Sequence, residues 1–178
     1  MANDEFILKS INEISLRGCL AYAIMCLEKY ITELYPEKKW EKLFKHLWKI
    51  TDESILIDDW DEKTCEILPD SIFEKNCYDN RFSILTEEEY YYYANIYKGV
   101  DENINIILGY ICDMEECFSY TIVNDKNGIL PRKVSLILNI LHENNIDVPN
   151  IALVKFSKRT ENNGRGKGFN GENFSIVL

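Results

Sequence analysis

The stretch from residue 101 to residue 123 constrains the fold more than any other part of the chain. Its apolar residues recur at spacings of three and four, the period of one face of an α-helix, and a second apolar line runs beside the first. Three acids, Asp113, Glu115 and Glu116, interrupt the apolar run and exclude a membrane span. We therefore expect a central helix near 102–123, covered on more than one side. The two lines consist of Ile104, Ile107, Leu108, Ile111, Met114, Phe118 and Ile122, and of Ile106, Tyr110 and Cys117.

Length and composition favour one folded domain. The chain has 178 residues, of which 46% are hydrophobic and 12% aromatic, which suits a sizeable core and argues against disorder. Its 30 acidic and 20 basic side chains give a formal net charge of −10. This charge disfavours nucleic acid as a direct ligand, so the expected partner is a basic protein.

The N-terminus and the cysteines indicate a cytoplasmic protein with no metal, no cofactor and no membrane anchor. The first residues, MANDEF, carry acids where a secretory signal carries lysines. Six cysteines form no Cys-x-x-Cys pair and have no nearby histidine to complete a zinc site. We expect most of these thiols to be reduced and buried, with a disulfide framework as the alternative. The cysteines are Cys19, Cys26, Cys65, Cys77, Cys112 and Cys117.

Other segments also carry helix signals. Residues 37–50 place large apolar side chains on one face and lysines on the other, and we expect the lysine face to be solvated. Residues 86–98 start with Thr86 and Glu89 at the spacing of a capping box and end at Gly99. Together the segments predict a mainly α, single-domain bundle of about five to seven helices over residues 1–148. The predicted core helices are 10–34, 37–50, 86–98, 102–123 and 131–145.

The segment 51–62 is dense in acids, with a short helix and then an exposed acidic loop as the expected structure. Asp58, Asp59 and Asp61 invite a calcium interpretation, but the glycine and the terminal glutamate of an EF-hand are absent. Four consecutive tyrosines at 90–93 cannot share one helix face, so some of them must be exposed.

The last thirty residues predict short strands around a glycine-rich loop. Residues 151–156, IALVKF, and 173–178, NFSIVL, have the apolar density of strands, which indicates a small β-hairpin or an extended tail over 149–178. The loop GRGKGFNG between them lacks the Ser or Thr and the following helix of a phosphate-binding loop, so a flexible connection is expected.

No catalytic signature emerges from the residues. His46 lies among lysines, His142 lacks the second histidine of a zinc protease motif, and no nucleophile motif occurs. We therefore expect a protein that is not an enzyme. The alternative is a helical enzyme or small-molecule-binding domain with its site inside the bundle.

The charge is concentrated in the middle of the chain. Between Asp52 and Asp125 there are 19 acids and four bases, while the flanks are net positive. Self-repulsion on this scale costs stability, so a surface that keeps it is suited to meeting a cationic partner, although solubility alone is the plainer explanation.

The C-terminal residues resemble the pattern of small bacterial immunity proteins that neutralise polymorphic or contact-dependent growth inhibition toxins. The resemblance implies a small cytosolic protein that blocks the active site or substrate surface of a cognate toxin, whose gene lies beside its own. The residues that carry it are Phe156, Ser157, Gly164, Arg165, Gly166, Phe169, Gly171, Ser175 and Leu178.

The resemblance and the charge map together suggest an inhibitor of a basic, RNA-cleaving toxin domain. Carboxylates can stand where substrate phosphates lie and pair with the toxin's Arg and Lys. The expected toxin-binding residues are Asp58, Asp59, Trp60, Asp61 and Glu62 with Glu87, Glu88 and Tyr91, and as second choice Asp113 and Glu116.

Overall fold

A computed structural model describes residues 2–74, 77–119, 122–123 and 128–178, and these residues form a mainly helical structure. The described residues contain eight α-helices and no β-strand, and short 3-10 turns follow or connect several of the helices. The helices are α1 (Ala2–Ile11), α2 (Leu16–Leu34), α3 (Glu41–Leu47), α4 (Ile57–Ile67), α5 (Pro69–Phe73), α6 (Glu87–Tyr97), α7 (Asn103–Glu115) and α8 (Ile129–Glu143).

Helix α2, rather than α7, is the most enclosed element. Every residue from Leu16 to Glu28 is buried, and α2 packs against α7, α8 and the 3-10 turns Trp48–Thr51 and Ile151–Val154. Small residues in α2 allow this close packing, since a Cβ added at Gly18 would lie 3.3 Å from the Cβ of Ser157. Helix α7 buries one face and leaves residues such as Gly109 and Tyr110 partly exposed, so the expectation that it is the central helix needs correction.

The predicted helix 10–34 is two helices. The break falls between Ile11 and Leu16, because Ser15 adopts extended backbone angles and its hydroxyl accepts a hydrogen bond from the Gly18 amide at 3.1 Å, which caps α2. Ser15 also bonds the distant Ser157 through both the hydroxyl, at 2.6 Å, and the backbone amide, at 3.0 Å. A contact across 142 residues therefore fixes the break.

The other predicted helices keep their places with shorter α-helical spans. The capping box of Thr86 and Glu89 is present at the start of α6, which confirms that prediction. Residues 37–50 contain α3 followed by a 3-10 turn, Trp48–Thr51. The segment 102–123 is α-helical to Glu115 and then forms a 3-10 turn, Glu116–Ser119, while residues 120–121 lie outside the described part. The prediction of an exposed acidic loop around Asp58, Asp59 and Asp61 is wrong, because these three residues belong to α4.

The predicted C-terminal hairpin is also wrong. Ile151–Val154 and Gly171–Phe174 are 3-10 turns, and the one β-type contact among the described residues is an isolated bridge between Ile14 and Lys158. The tail packs on the bundle instead, partly through backbone hydrogen bonds such as that from the Phe169 amide to the Thr51 carbonyl at 2.9 Å. A Cβ added at Gly171 would come within 2.4 Å of the Trp48 ring, so the backbone itself fills this space.

Helix length and polarity decide whether a helix can span a membrane. Within the described residues, no helix combines the length and the apolar character that a bilayer-spanning segment needs.

Candidate acidic cleft

A cleft of about 420 Å³ lies where α4 faces the end of α7. The 3-10 turn after α7, the start of α2 and the loop around Arg165 complete its walls. We call it the acidic cleft, and its lining residues are Arg17, Glu53, Ile55, Ile57, Asp58, Asp61, Glu115, Glu116, Phe118, Ser119 and Arg165.

Helix α4 supplies one acidic side of the cleft. Asp58 and Asp61 are three residues apart, so they lie on the same face of the helix. Asp58 and Asp59 occupy the first turn of α4, where carboxylates interact favourably with the helix dipole. Asp58 therefore both lies in the first turn of α4 and contributes to the charge of the cleft.

The end of α7 supplies a carboxylate in an unfavourable environment. Glu115 is the last residue of α7 and is only 5% exposed, yet it has no hydrogen bond or ion pair with any described residue. The helix dipole disfavours a negative charge at this end. Burial, together with the charges of Asp61, Glu116 and Asp58, raises the pKa of Glu115 to about 7. Close to neutral pH the side chain is divided between its protonated and ionised forms.

Two arginines form the opposite side of the cleft. Arg17, 5% exposed, donates from Nη1 to the Gly166 carbonyl at 2.9 Å, and its guanidinium carbon lies 5.1 Å from the centre of the Phe118 ring. Arg165 donates from Nη2 to the Phe118 carbonyl at 2.8 Å. The Arg17 amide in turn donates to the Arg165 carbonyl at 3.2 Å. Backbone carbonyls thus hold the two cations in place.

Glu53 links this wall to the C-terminal loop. Its carboxylate accepts hydrogen bonds from the Asn162 side-chain amide at 2.7 Å and from the Gly168 amide at 3.4 Å. These hydrogen bonds lower the pKa of Glu53. The loop around residues 162–168 is thereby held against Glu53, at the edge of the cleft.

A second depression, of about 500 Å³, lies on another side of α4 and includes Asp59 and Glu62. The residues at its base, His46 and Trp60, are held by contacts within the fold. The imidazole of His46 stacks on Trp60 with ring centroids 5.6 Å apart and bonds Thr64 Oγ1 at 2.8 Å. Burial, and then the charge of Lys63, lowers the pKa of His46 to about 3, so the ring is neutral at pH 7.

Trp60 does not fit its expected role as an interface anchor. It is 1% exposed, and its indole N–H donates to the His46 carbonyl at 3.1 Å. Its position on α4, three residues after Ile57 and four before Thr64, directs it into the core. The sequence predicts an exposed acidic loop in this segment, and a loop has no helical period that would separate a buried face from an exposed one.

The remaining expected binding residues lie away from the acidic cleft. Glu87 and Glu88 are exposed in the first turn of α6, where Glu88 pairs with Lys42 at 3.4 Å, and Tyr91 is 58% exposed. Asp113 forms an ion pair with Lys133. The structure therefore brings together Asp58, Asp61 and Glu116 from the expected set, and adds Glu115, Arg17 and Arg165.

Sequence reasoning had a signal for the added residues. Glu115 interrupts an apolar run, and Arg17 begins the densest apolar helix of the chain, so each is a charge in an otherwise buried segment. The sequence does not show that the fold places Glu115 and Arg17 on the same cleft.

The cysteines and the acids do not form a metal site in the described part of the chain. None of the six cysteines forms a disulfide, and Cys19, Cys26 and Cys117 are buried. In the part of the chain that the structure describes, no group of three or more His, Cys, Asp or Glu side chains is placed to hold a metal ion.

Comparisons with protein-family models, curated proteins and solved structures find no match to this chain.

Proposed function

We propose that this protein is an immunity protein that binds a cationic toxin domain, an RNA-cleaving nuclease, and occludes its substrate groove. The single observation that carries the proposal is the grouping of Asp58, Asp61 and Glu116 around a cleft that also holds the unpaired Glu115. Asp59 and Glu62 add exposed negative charge on another side of α4.

The ion pairs of the described lysines do not neutralise the acids of this surface. Lys63, Lys133 and Lys42 pair with Glu89, Asp113 and Glu88, all of which lie outside the acidic cleft. Among the described residues, no ion pair involves the acids of α4 or Glu116. Acids that form no ion pair with described bases of the chain remain able to attract an external cation.

The chemistry of inhibition follows from this surface. Arginine and lysine side chains that hold RNA phosphates can form charge-assisted hydrogen bonds with carboxylates in the same positions. Complementary charge also accelerates association, which is the property an inhibitor of a lethal enzyme needs. In this mechanism the inhibitor acts by occupying the groove, and it uses no catalytic group of its own.

The test is a charge reversal on α4. We expect the triple variant Asp58→Lys, Asp59→Lys, Asp61→Lys to associate at least about ten-fold more slowly with the product of the neighbouring toxin gene, because electrostatic steering is lost. The salt dependence of the rate should fall as well. Association kinetics at two ionic strengths and protection of toxin-expressing cells are the measurements.

A matched control separates the site from net charge. Glu37, Glu143 and Asp147 are exposed acids outside the cleft, and their reversal to lysine changes the net charge by the same amount. We expect the control variant to protect cells and to associate at close to the parent rate. Equal loss in both triple variants, or no loss in either, would remove α4 from the interface.

A further inference from the structure

The carboxylate of Glu115 has no hydrogen-bond or ion-pair partner among the described residues, although the side chain is largely buried. Removing a carboxylate from water without giving it a hydrogen-bond donor is costly, and buried charges in proteins are normally paired. Glu115 is 95% buried, lines the acidic cleft and has no partner among the described residues. A group held in this way is suited to a donor that comes from outside the chain.

The other lining residues define the shape of that donor. Ile55, Ile57 and Phe118 give the cleft apolar contact area, while Asp58, Asp61 and Glu115 supply acceptors from two helices. A metal ion or an inorganic cation would leave the apolar part unused. A lysine or arginine side chain uses both, because it carries a cationic head on an aliphatic stem.

Arg17 and Arg165 lie on one side of the cleft, and this arrangement orients an entering cation. Arg17 and Arg165 are held by the carbonyls of Gly166 and Phe118, so they stay on their own side. An entering cation is repelled by this side and attracted by the α4 and α7 acids, which confines its head to the region of Asp61 and Glu115.

We propose that the acidic cleft is a pocket for one lysine or arginine side chain of the protein partner, with Glu115 and Asp61 as the acceptors of its cationic group. This inference rests on the proposed function for the identity of the partner, but the pocket itself can be tested without the toxin.

The probes are three capped tripeptides that differ in one side chain. Acetyl-Gly-Arg-Gly-amide and acetyl-Gly-Lys-Gly-amide carry the cation, and acetyl-Gly-citrulline-Gly-amide is the neutral counterpart of the arginine peptide. We expect the two cationic peptides to shift the NMR signals of residues that line the cleft, with millimolar affinity, and the citrulline peptide to bind at least about ten-fold more weakly. No binding by either cationic peptide would overturn the proposal, as would equal binding of the neutral one.

The variant Glu115→Gln removes the charge and keeps the shape. We expect it to weaken cationic peptide binding at least about ten-fold, because one acceptor of the ion pair becomes neutral. Glu143→Gln makes the same change of charge at an exposed position at the end of α8 and should leave binding unchanged. Equal binding by the Glu115→Gln variant, at a melting temperature no lower than that of the parent, would exclude Glu115 as the acceptor.

The dependence on pH provides a second readout. Since the pKa of Glu115 is about 7, the ionised fraction rises about ten-fold between pH 6 and pH 8, and peptide affinity should rise with it. The Glu115→Gln variant should lose this dependence. The charged and titratable groups that face Glu115 are Asp58, Asp61 and Cys65 of α4, Cys112 and Glu116 at the end of α7, and Arg17, Glu53 and Arg165 on the cleft.

The outcomes for the pocket and for the function are separable. Peptide binding without protection against the toxin would retain the pocket and refute the immunity function. If the parent protein binds neither cationic peptide and the Glu115→Gln variant still protects cells, the immunity function is retained and the pocket is refuted.

Discussion

Two buried glutamates occupy opposite situations in this protein. Glu28 lies in the middle of α2, where its carboxylate accepts hydrogen bonds from Trp48 Nε1 at 2.9 Å, from the Ile176 amide at 3.0 Å and from the Ser175 hydroxyl. Glu115, at the end of α7, is buried to a similar degree and accepts none from the described residues. Burial raises the pKa of both, but at Glu28 the hydrogen bonds act in the opposite direction.

The difference indicates two uses of a buried charge. The carboxylate of Glu28 joins three segments that are distant in sequence, so its burial serves the fold. The carboxylate of Glu115 stabilises nothing in the fold and is suited to a ligand, as strained or unsatisfied groups at functional sites often are.

The largest expected effect comes from Glu28→Ala. The change leaves two N–H groups and a hydroxyl without their acceptor and opens a cavity between α2 and the C-terminal tail. We expect a loss of about 3–5 kcal/mol in the free energy of unfolding, measured by denaturant titration. Hydrogen exchange at Ile176 should accelerate more than exchange within α8, and equal acceleration at both would show that Glu28 does not hold the tail.

The second expected effect is a gain in the free energy of unfolding, from the variant Glu115→Gln. The folded pKa of Glu115, about 7, lies above the ordinary value of 4.5, so the folded state binds the proton more tightly and loses stability as the pH rises from 4.5 through 7. The Glu115→Gln variant avoids this loss. We expect it to be about 2–3 kcal/mol more stable than the parent at pH 8, with the gain vanishing near pH 4.5.

Urea titrations of both proteins at pH 4.5, 6 and 8 measure this dependence. A variant that is less stable than the parent at pH 8 would mean that Glu115 is paired in solution, and the contrast with Glu28 would disappear.

The smallest effect sharpens the account of the tail that Glu28 holds. A Cβ at Gly171 would lie 2.4 Å from the Trp48 ring and 2.6 Å from Thr51 Oγ1, so Gly171→Ala should cost about 2 kcal/mol through overpacking. Gly109 in α7 has open space around the same position, and Gly109→Ala should stabilise the helix by about 0.5–1 kcal/mol. Thermal unfolding of the pair is the measurement, and equal effects would contradict the packing described for the tail.

The tail also shows where prediction from sequence stopped. Residues 151–156 and 173–178 have the composition of strands, but a strand needs a partner strand. The long-range hydrogen bonds of the C-terminal tail go instead to Ser15, Thr51 and Glu28. Those acceptors and donors lie more than 100 residues away, beyond the reach of any local pattern. The structure accordingly has 3-10 turns where the sequence predicted a hairpin.

The sequence by itself determined the helices and the sign of the surface. Apolar periodicity, the capping box at Thr86 and the acids of the middle segment all act within a few residues, so they can be read without a fold. The tertiary structure alone decided which face of α4 is buried, where the first helix breaks and which charges meet. Ser15 with Ser157, and Asp61 with Glu115 and Arg17 around one cleft, are brought together by packing across long stretches of chain, and loop closure over such distances leaves no local signal in the sequence.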